Sequence, residues 1–251
     1  MNEVDGSPFD MTPIADCRAC PYRQKLLLMG RCMPGDACVA AESGRQIDRF
    51  FRNNPQLAVN YLNDDFWERR AIAVRYVPAD KLKTILTDSD EAVRRAIAYR
   101  LPRDELINMI QDPDREVRIT VADRIPLNQI EQLANDKDYL VRAYVAQRIP
   151  PGRLFRLIRD EDRQVRKLVA KRLPEASLGM MIDDPEPEIR CVIANRCEQE
   201  ELLTLLKDSD WMVRLSAVER APLQALVDLQ EDPDEEVKLR VNERLAEEKN
   251  Q

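Results

Sequence analysis

From Asp88 to Gln111 the apolar residues fall at Val93, Ile97 and Leu101 with Ala98 beside them, which is one stripe of a helix about ten residues long. Asp88 and Asp90 stand at its start, and either side chain can cap the free amides there. Pro102 ends it, because proline removes a backbone donor and drives the residue before it out of helical geometry. Beyond the proline, Leu106, Met109 and Ile110 are spaced for a second segment of about two turns, α or 3₁₀.

This pattern recurs with a step of 24 residues. Val93-Arg94 returns as Val117-Arg118, Val141-Arg142, Val165-Arg166, Ile189-Arg190, Val213-Arg214 and Val237-Lys238. An Asp column runs from Asp64 to Asp232, a Leu/Ile column from Leu82 to Leu226, and an Ala column from Ala98 to Ala194. The alanines mark positions where a neighbouring helix approaches too closely for a larger side chain. A unit this small cannot bury its apolar face alone, so the sequence predicts eight repeats stacked into an all-α solenoid. The array is irregular in places: Arg69 replaces the valine of the first repeat, Glu198 replaces a proline, and the chain ends in polar AEEKNQ. The predicted organisation is a Cys-rich head at 1–45, a connecting segment at 46–62 and repeats at 63–251. Ile47, Phe50, Phe51, Leu57 and Val59 are expected to pack the head onto the first repeat.

With these columns in place, the chain resembles the leucine-rich repeat variant family over about three quarters of its length. The resemblance implies alternating α and 3₁₀ helices wound into a right-handed superhelix, without the strands of ordinary leucine-rich repeats.

Composition narrows the chemistry. Histidine is absent, which removes the commonest general base and the nitrogen ligand of mixed zinc sites. The net charge of −7 argues against nucleic acid as the main partner, and Tyr99, Tyr144 and Phe155 share no column on which bases could stack. The first ten residues, MNEVDGSPFD, lack the apolar core of a signal peptide, and no run has the length of a membrane helix. A cytoplasmic chain with reduced cysteines is expected.

Arginine recurs in two columns, and two readings stand. In one, Arg100, Arg124, Arg148, Arg172, Arg196, Arg220 and Arg244 bond carboxylates or helix-end carbonyls of the next repeat and fix the stacking. In the other, Arg94, Arg118, Arg142, Arg166, Arg190 and Arg214 line a face and offer forked donors to a partner's carboxylates or phosphates.

Four of six cysteines crowd the N-terminus as Cys17, Cys20, Cys32 and Cys38, a Cys-x₂-Cys-x₁₁-Cys-x₅-Cys arrangement. The remaining two read as packing residues, with Cys197 in the column of Leu101, Ile125 and Leu173 and Cys191 inside a repeat helix. A Cys-x₂-Cys turn brings two sulfurs to one metal centre, and two further cysteines complete a four-sulfur shell. The five-residue gap in the second pair, and Pro21 directly after Cys20, favour a [4Fe-4S] cluster, with structural zinc as the alternative. Resemblance adds to this, because relatives in the variant family carry an N-terminal four-cysteine iron-sulfur module that these cysteines match one for one. The turn Met33-Pro34-Gly35-Asp36 has amides within reach of cluster sulfurs, and Arg18, Arg23 and Lys25 can balance cluster charge.

Four protein ligands leave no iron open to substrate. The Cys-x₃-Cys-x₂-Cys triad of radical enzymes, a phosphate loop and a nucleophile elbow are all missing from the sequence. The expectation is therefore a non-enzyme: a repeat scaffold that docks a protein partner on its solenoid face, carrying an electron-transfer or redox-sensing head.

Overall fold

The computed structural model describes residues 13–249, so the expectations about a signal segment at residues 1–12 and the last two residues of the tail lie outside the described residues. The chain divides after Ile125 into two compact units. Among the described residues there is no strand, only an isolated bridge between Met33 and Ala37, and no helix is long and apolar enough to cross a membrane.

The first unit holds the cysteine segment, a helix at Gly44–Asn53, and the repeat helices Trp67–Ala73, Glu91–Arg100 and Arg115–Arg124. The second holds Tyr139–Arg148, Arg163–Arg172, Pro187–Ala194, Trp211–Val218 and Glu235–Lys249. In regular repeats the second segment is a 3₁₀ helix, as at Arg103–Met109, Pro151–Leu157 and Glu175–Met181. The segments after Pro78 and Pro222 open with one α turn and finish as 3₁₀. Where Glu198 stands in place of proline, Gln199–Leu205 is α throughout, with Glu200 and Glu201 in the first turn, where the positive helix end favours them. The last helix, Glu235–Lys249, extends into the polar tail.

The caps separate the two aspartates. Asp90 accepts from the amide of Ala92 at 2.9 Å, and Asp114, Asp138, Asp162, Asp210 and Asp234 act likewise. The first aspartate of each pair serves the stacking. Within the first unit Arg94 clasps Asp112 with two bonds of 2.8 and 3.1 Å, and Arg70 does the same to Asp88. Within the second unit the same fork joins Arg142 to Asp160, Arg166 to Asp184, Arg190 to Asp208, and Arg214 to Asp232. Each arginine also donates to a carbonyl of its own repeat, as Arg94 does to Asp88 at 2.8 Å and Arg118 to Asp112 at 2.8 Å.

This corrects the partner-face reading of the Arg94 column. Those forked donors are buried and spent on holding repeats together. The Arg100 column makes the other predicted contact, but reaches backward. Arg196 donates to the carbonyls of Ala170 and Leu173, at 2.6 and 3.0 Å, in the preceding repeat. Arg124 donates to Leu101 at 3.1 Å, and Arg244 to Ala221 at 2.8 Å. Helix ends leave carbonyls without partners, and a cation at that end also suits the helix dipole. Two ladders thus follow the stack, one on carboxylates and one on carbonyls.

The core lies between them. Val93, Ile97, Ala98, Leu101, Leu106 and Met109 are buried, as are their counterparts in the repeats from Val117 to Leu205, and Cys197 is buried among them as expected. Of the residues assigned to join head and repeat, Ile47, Phe50 and Phe51 are buried, but Val59 is exposed and Leu57 half-buried. Pro55–Tyr61 is 3₁₀, and its three-residue turn sends Ala58 and Leu62 inward instead.

Candidate metal centre

The cysteines sit on two short loops that one helix holds in place. Cys17 to Cys20 closes as a turn, with the Cys20 amide bonded to the Cys17 carbonyl at 3.2 Å. A single π turn, Arg23–Leu27, follows, and Gly30 (φ 67°) reverses the chain towards Cys32. Gly35 (φ 81°) then turns it again between Met33 and Ala37.

Helix Gly44–Asn53 anchors both loops. Its buried Asn54 cap donates to the carbonyl of Arg31 at 2.9 Å, next to Cys32. The Gln46 carbonyl accepts the amide of Cys38 at 3.1 Å, while the Gln46 side-chain amide donates to Pro13 at 2.7 Å. The helix begins at Gly44, beside the side chain of Glu68 on the neighbouring helix. It therefore crosses the boundary expected at residue 45 and works as part of the head.

All four predicted cysteines come together. Cys17, Cys20, Cys32 and Cys38 line one largely apolar pocket with Tyr22, Leu27, Pro34 and Phe50. Partial burial pushes the Cys17 and Cys32 thiols above their ordinary pKa, and the charges of the other cavity cysteines push the same way. Cys17 and Cys32 thus resist ionising where they stand, a cost that a cationic group bound to them would relieve, since ligation requires thiolates. Among the described residues no group of three or more Cys, Asp or Glu is arranged to hold a single metal ion.

Other expected contributors are redistributed. The amides of Asp36 and Ala37 are bonded to the Met33 carbonyl at 3.1 and 2.9 Å, so they close the turn instead of facing the cavity. Arg18 is engaged with Asp16 at 2.7 Å, which leaves Arg23 as the cation on the cavity wall. Cys191 stays half-buried in its repeat and Cys197 in the core, apart from the cavity.

A second feature emerges where the head meets the first repeat. Gln46 occupies the register of Arg70 and Arg94, so no arginine reaches Asp64 from that side. Arg69 takes its place, reaching Asp64 at 3.1 Å and lying over the ring of Phe66 at 5.2 Å. It lines a shallow pocket with Cys20, Tyr22 and Tyr61. Burial, followed by the 3.2 Å bond to Tyr22, pushes the Tyr61 hydroxyl pKa far up, so it stays protonated. Continuing the 24-residue step back to Gln46 was the signal that reveals this exchange.

Comparison with known proteins agrees with the geometry. The family described as "LRV protein FeS4 cluster" matches residues 13–60, and "Leucine rich repeat variant" matches 139–162. A solved structure titled as a leucine-rich repeat variant with a novel repetitive protein structural motif is 68% identical, covers 92% of this chain and 99% of its own, and superposes with a TM-score of 0.85. An uncharacterized 27.7 kDa protein in the nifB 3′ region of Rhodobacter capsulatus is 38% identical over 95 residues, spanning 38% of each chain. The chain belongs to the leucine-rich repeat variant family, a helical-repeat solenoid fold, and carries that family's iron-sulfur module ahead of its repeats.

Proposed function

We propose that Cys17, Cys20, Cys32 and Cys38 ligate a [4Fe-4S] cluster, and that the protein is a redox head on a protein-binding scaffold rather than an enzyme. The observation that carries this reading is the gathering of all four thiols on one apolar cavity within the residues that match the iron-sulfur family. The five-residue gap between Cys32 and Cys38 and Pro21 directly after Cys20 support a cluster over a lone zinc ion. Bound there, such a cluster supplies one-electron chemistry.

The chain's own residues define the setting. Leu27, Pro34, Val39 and Phe50 supply the apolar lining of the cavity, Arg23 adds positive charge at its wall, and Gln46 and Asn54 fix the two loops. With four thiolates assigned as ligands, the arrangement supports electron transfer or redox sensing over substrate chemistry. For the scaffold, an open groove crosses three helices of the first unit, where exposed Trp67 and Tyr99 lie beside Arg45, Arg75 and Arg95. Aromatic and arginine side chains in a groove are the composition that protein interfaces favour.

The test is the visible spectrum of full-length protein purified without oxygen, with iron, sulfide and zinc assays on the same sample. A brown solution with about four irons and four sulfides per chain, lost on Cys32→Ser or Cys38→Ser and bleached by dithionite, is expected. Colourless protein with one zinc per chain would make the head structural.

A further inference from the structure

The loop Arg23–Arg31 contributes Arg23 and Leu27 to the wall of the cysteine cavity. Between Arg23 and Arg31 the chain buries Leu26, tucks Leu27 against the cavity, and then exposes Leu28 (84%) and Met29 (57%) at its tip. The loop is firmly held. The Arg31 amide bonds the Leu26 carbonyl at 2.9 Å, and Asn54 clamps the Arg31 carbonyl from beneath. Two adjacent large apolar side chains are thus presented on a fixed turn. Met33, on the cavity wall, and Ile14, packed near Gly35, are also exposed.

Charge surrounds this apolar tip. Residues 13–60 carry seven Lys or Arg against four Asp or Glu, a balance of +3 in a chain of −7. Arg18, Arg49 and Arg52 are neutralised by Asp16, Asp36 and Asp48. Arg23, Lys25 and Arg31 are exposed and, among the described residues, make no ion pair or side-chain hydrogen bond. All three belong to the loop that carries Leu28 and Met29.

We infer that the loop Arg23–Arg31 is the docking surface for a small acidic electron-carrier protein, bringing it against the wall of the cysteine cavity. This rests on the redox reading proposed above. A few apolar side chains inside a ring of one charge sign make a small, short-lived interface, fast to form by electrostatic steering and quick to release. The sign of the ring requires carboxylates on the partner, and the cavity behind the loop requires that the partner carry electrons.

The experiment uses the full chain loaded with its cluster, and as probe an acidic plant-type ferredoxin, reduced and freed of excess reductant. Binding is measured by anisotropy of labelled ferredoxin, and cluster bleaching by stopped flow, at about 0.01 M and about 1 M salt. The variants are Lys25→Glu/Arg31→Glu and Leu28→Ser/Met29→Ser, each checked by circular dichroism and by its rate of reduction with dithionite. Both are expected to keep their fold and their dithionite bleaching. The charge reversal should weaken ferredoxin binding and slow bleaching about tenfold or more at low salt, with little difference at high salt.

Wild-type behaviour in both variants would overturn the inference while leaving the redox reading intact if dithionite bleaches the cluster. Ferredoxin binding by a cluster that no reductant bleaches would do the reverse, removing the redox reading and keeping the docking surface. Vesicles containing phosphatidylserine serve as the control. If they capture the wild type through Leu28 and Met29 while ferredoxin does not bind, the loop faces an anionic membrane and the inference fails.

Discussion

Replacing Arg166 with Met removes the guanidinium from a buried rung while keeping most of its volume. Arg166 holds Asp184 with bonds of 2.8 and 3.3 Å, and the two side chains are only 9% and 3% exposed. It also donates to the carbonyls of Asp160 and Glu161 at 2.9 and 3.2 Å. After the substitution the buried Asp184 carboxylate keeps the amide of Glu186, at 3.0 Å. Breaking a buried pair in this way costs about 3–5 kcal/mol. With a urea slope of about 2–3 kcal/mol/M, the unfolding midpoint followed by circular dichroism should fall by about 1–2 M. Lys167→Met, which breaks the exposed pair with Glu188, sets the baseline at about 0–1 kcal/mol.

The double variant Arg166→Met/Asp184→Leu separates attraction from desolvation. It should recover much of the loss, because no unpaired charge remains, yet fall short of the wild type by about 1–3 kcal/mol, since the Glu186 amide and the two carbonyls lose their partners. If Arg166→Met shifts the midpoint no more than Lys167→Met does, the rungs do not hold the stack together and the argument from burial is wrong.

Further outcomes follow from the same contacts. Burial raises the Asp208 and Asp232 carboxyls, but Arg190, Arg214 and the amides of Asp210 and Asp234 outweigh it and hold both below the usual range. Their stabilisation is therefore fully present above the unfolded value of about 3.9 and is lost as pH falls through the lower folded values, so urea midpoints should drop in that window and less so in Arg190→Met. Arg196→Met strips two helix-end carbonyls of their donor and should cost about 1–3 kcal/mol in the same assay. Gln46→Arg/Arg69→Val, which extends the regular ladder into the head, should leave the repeats folded by circular dichroism but reduce iron per chain; full iron content would refute the role given to Gln46.

Much of this architecture was legible because a 24-residue step exposes each column separately. The stripe Val93, Ile97, Leu101 and the proline stop located the regular repeats, and the cysteine spacing pointed to the four cysteines that line the cavity. The two aspartates and two arginine columns were less readable. Asp88 and Asp90 are two residues apart and both can cap, and only three-dimensional stacking shows that an arginine 18 residues earlier claims the first. Likewise, Arg196 reaches back 23 and 26 residues, a direction that periodicity, being symmetric, does not specify.

The junction of head and repeats shows how a regular array is made to end. An arginine at position 46 would have its natural rung on Asp64, but that helix must also carry the cysteine loops. Gln46 supplies what they need: a carbonyl for Cys38 and a neutral side-chain amide for Pro13, in a fully buried site where a guanidinium would bring a charge. Losing the arginine there leaves Asp64 without its rung, and Arg69 supplies the charge from a column that is otherwise aliphatic. The one repeat that breaks the Val pattern thus does so where the chain changes from stacking itself to enclosing four thiols. Arg69 then lines a pocket with Cys20, Tyr22 and Tyr61. The same substitution that mends the ladder places a cation beside the head, so stacking and site were solved together at this seam.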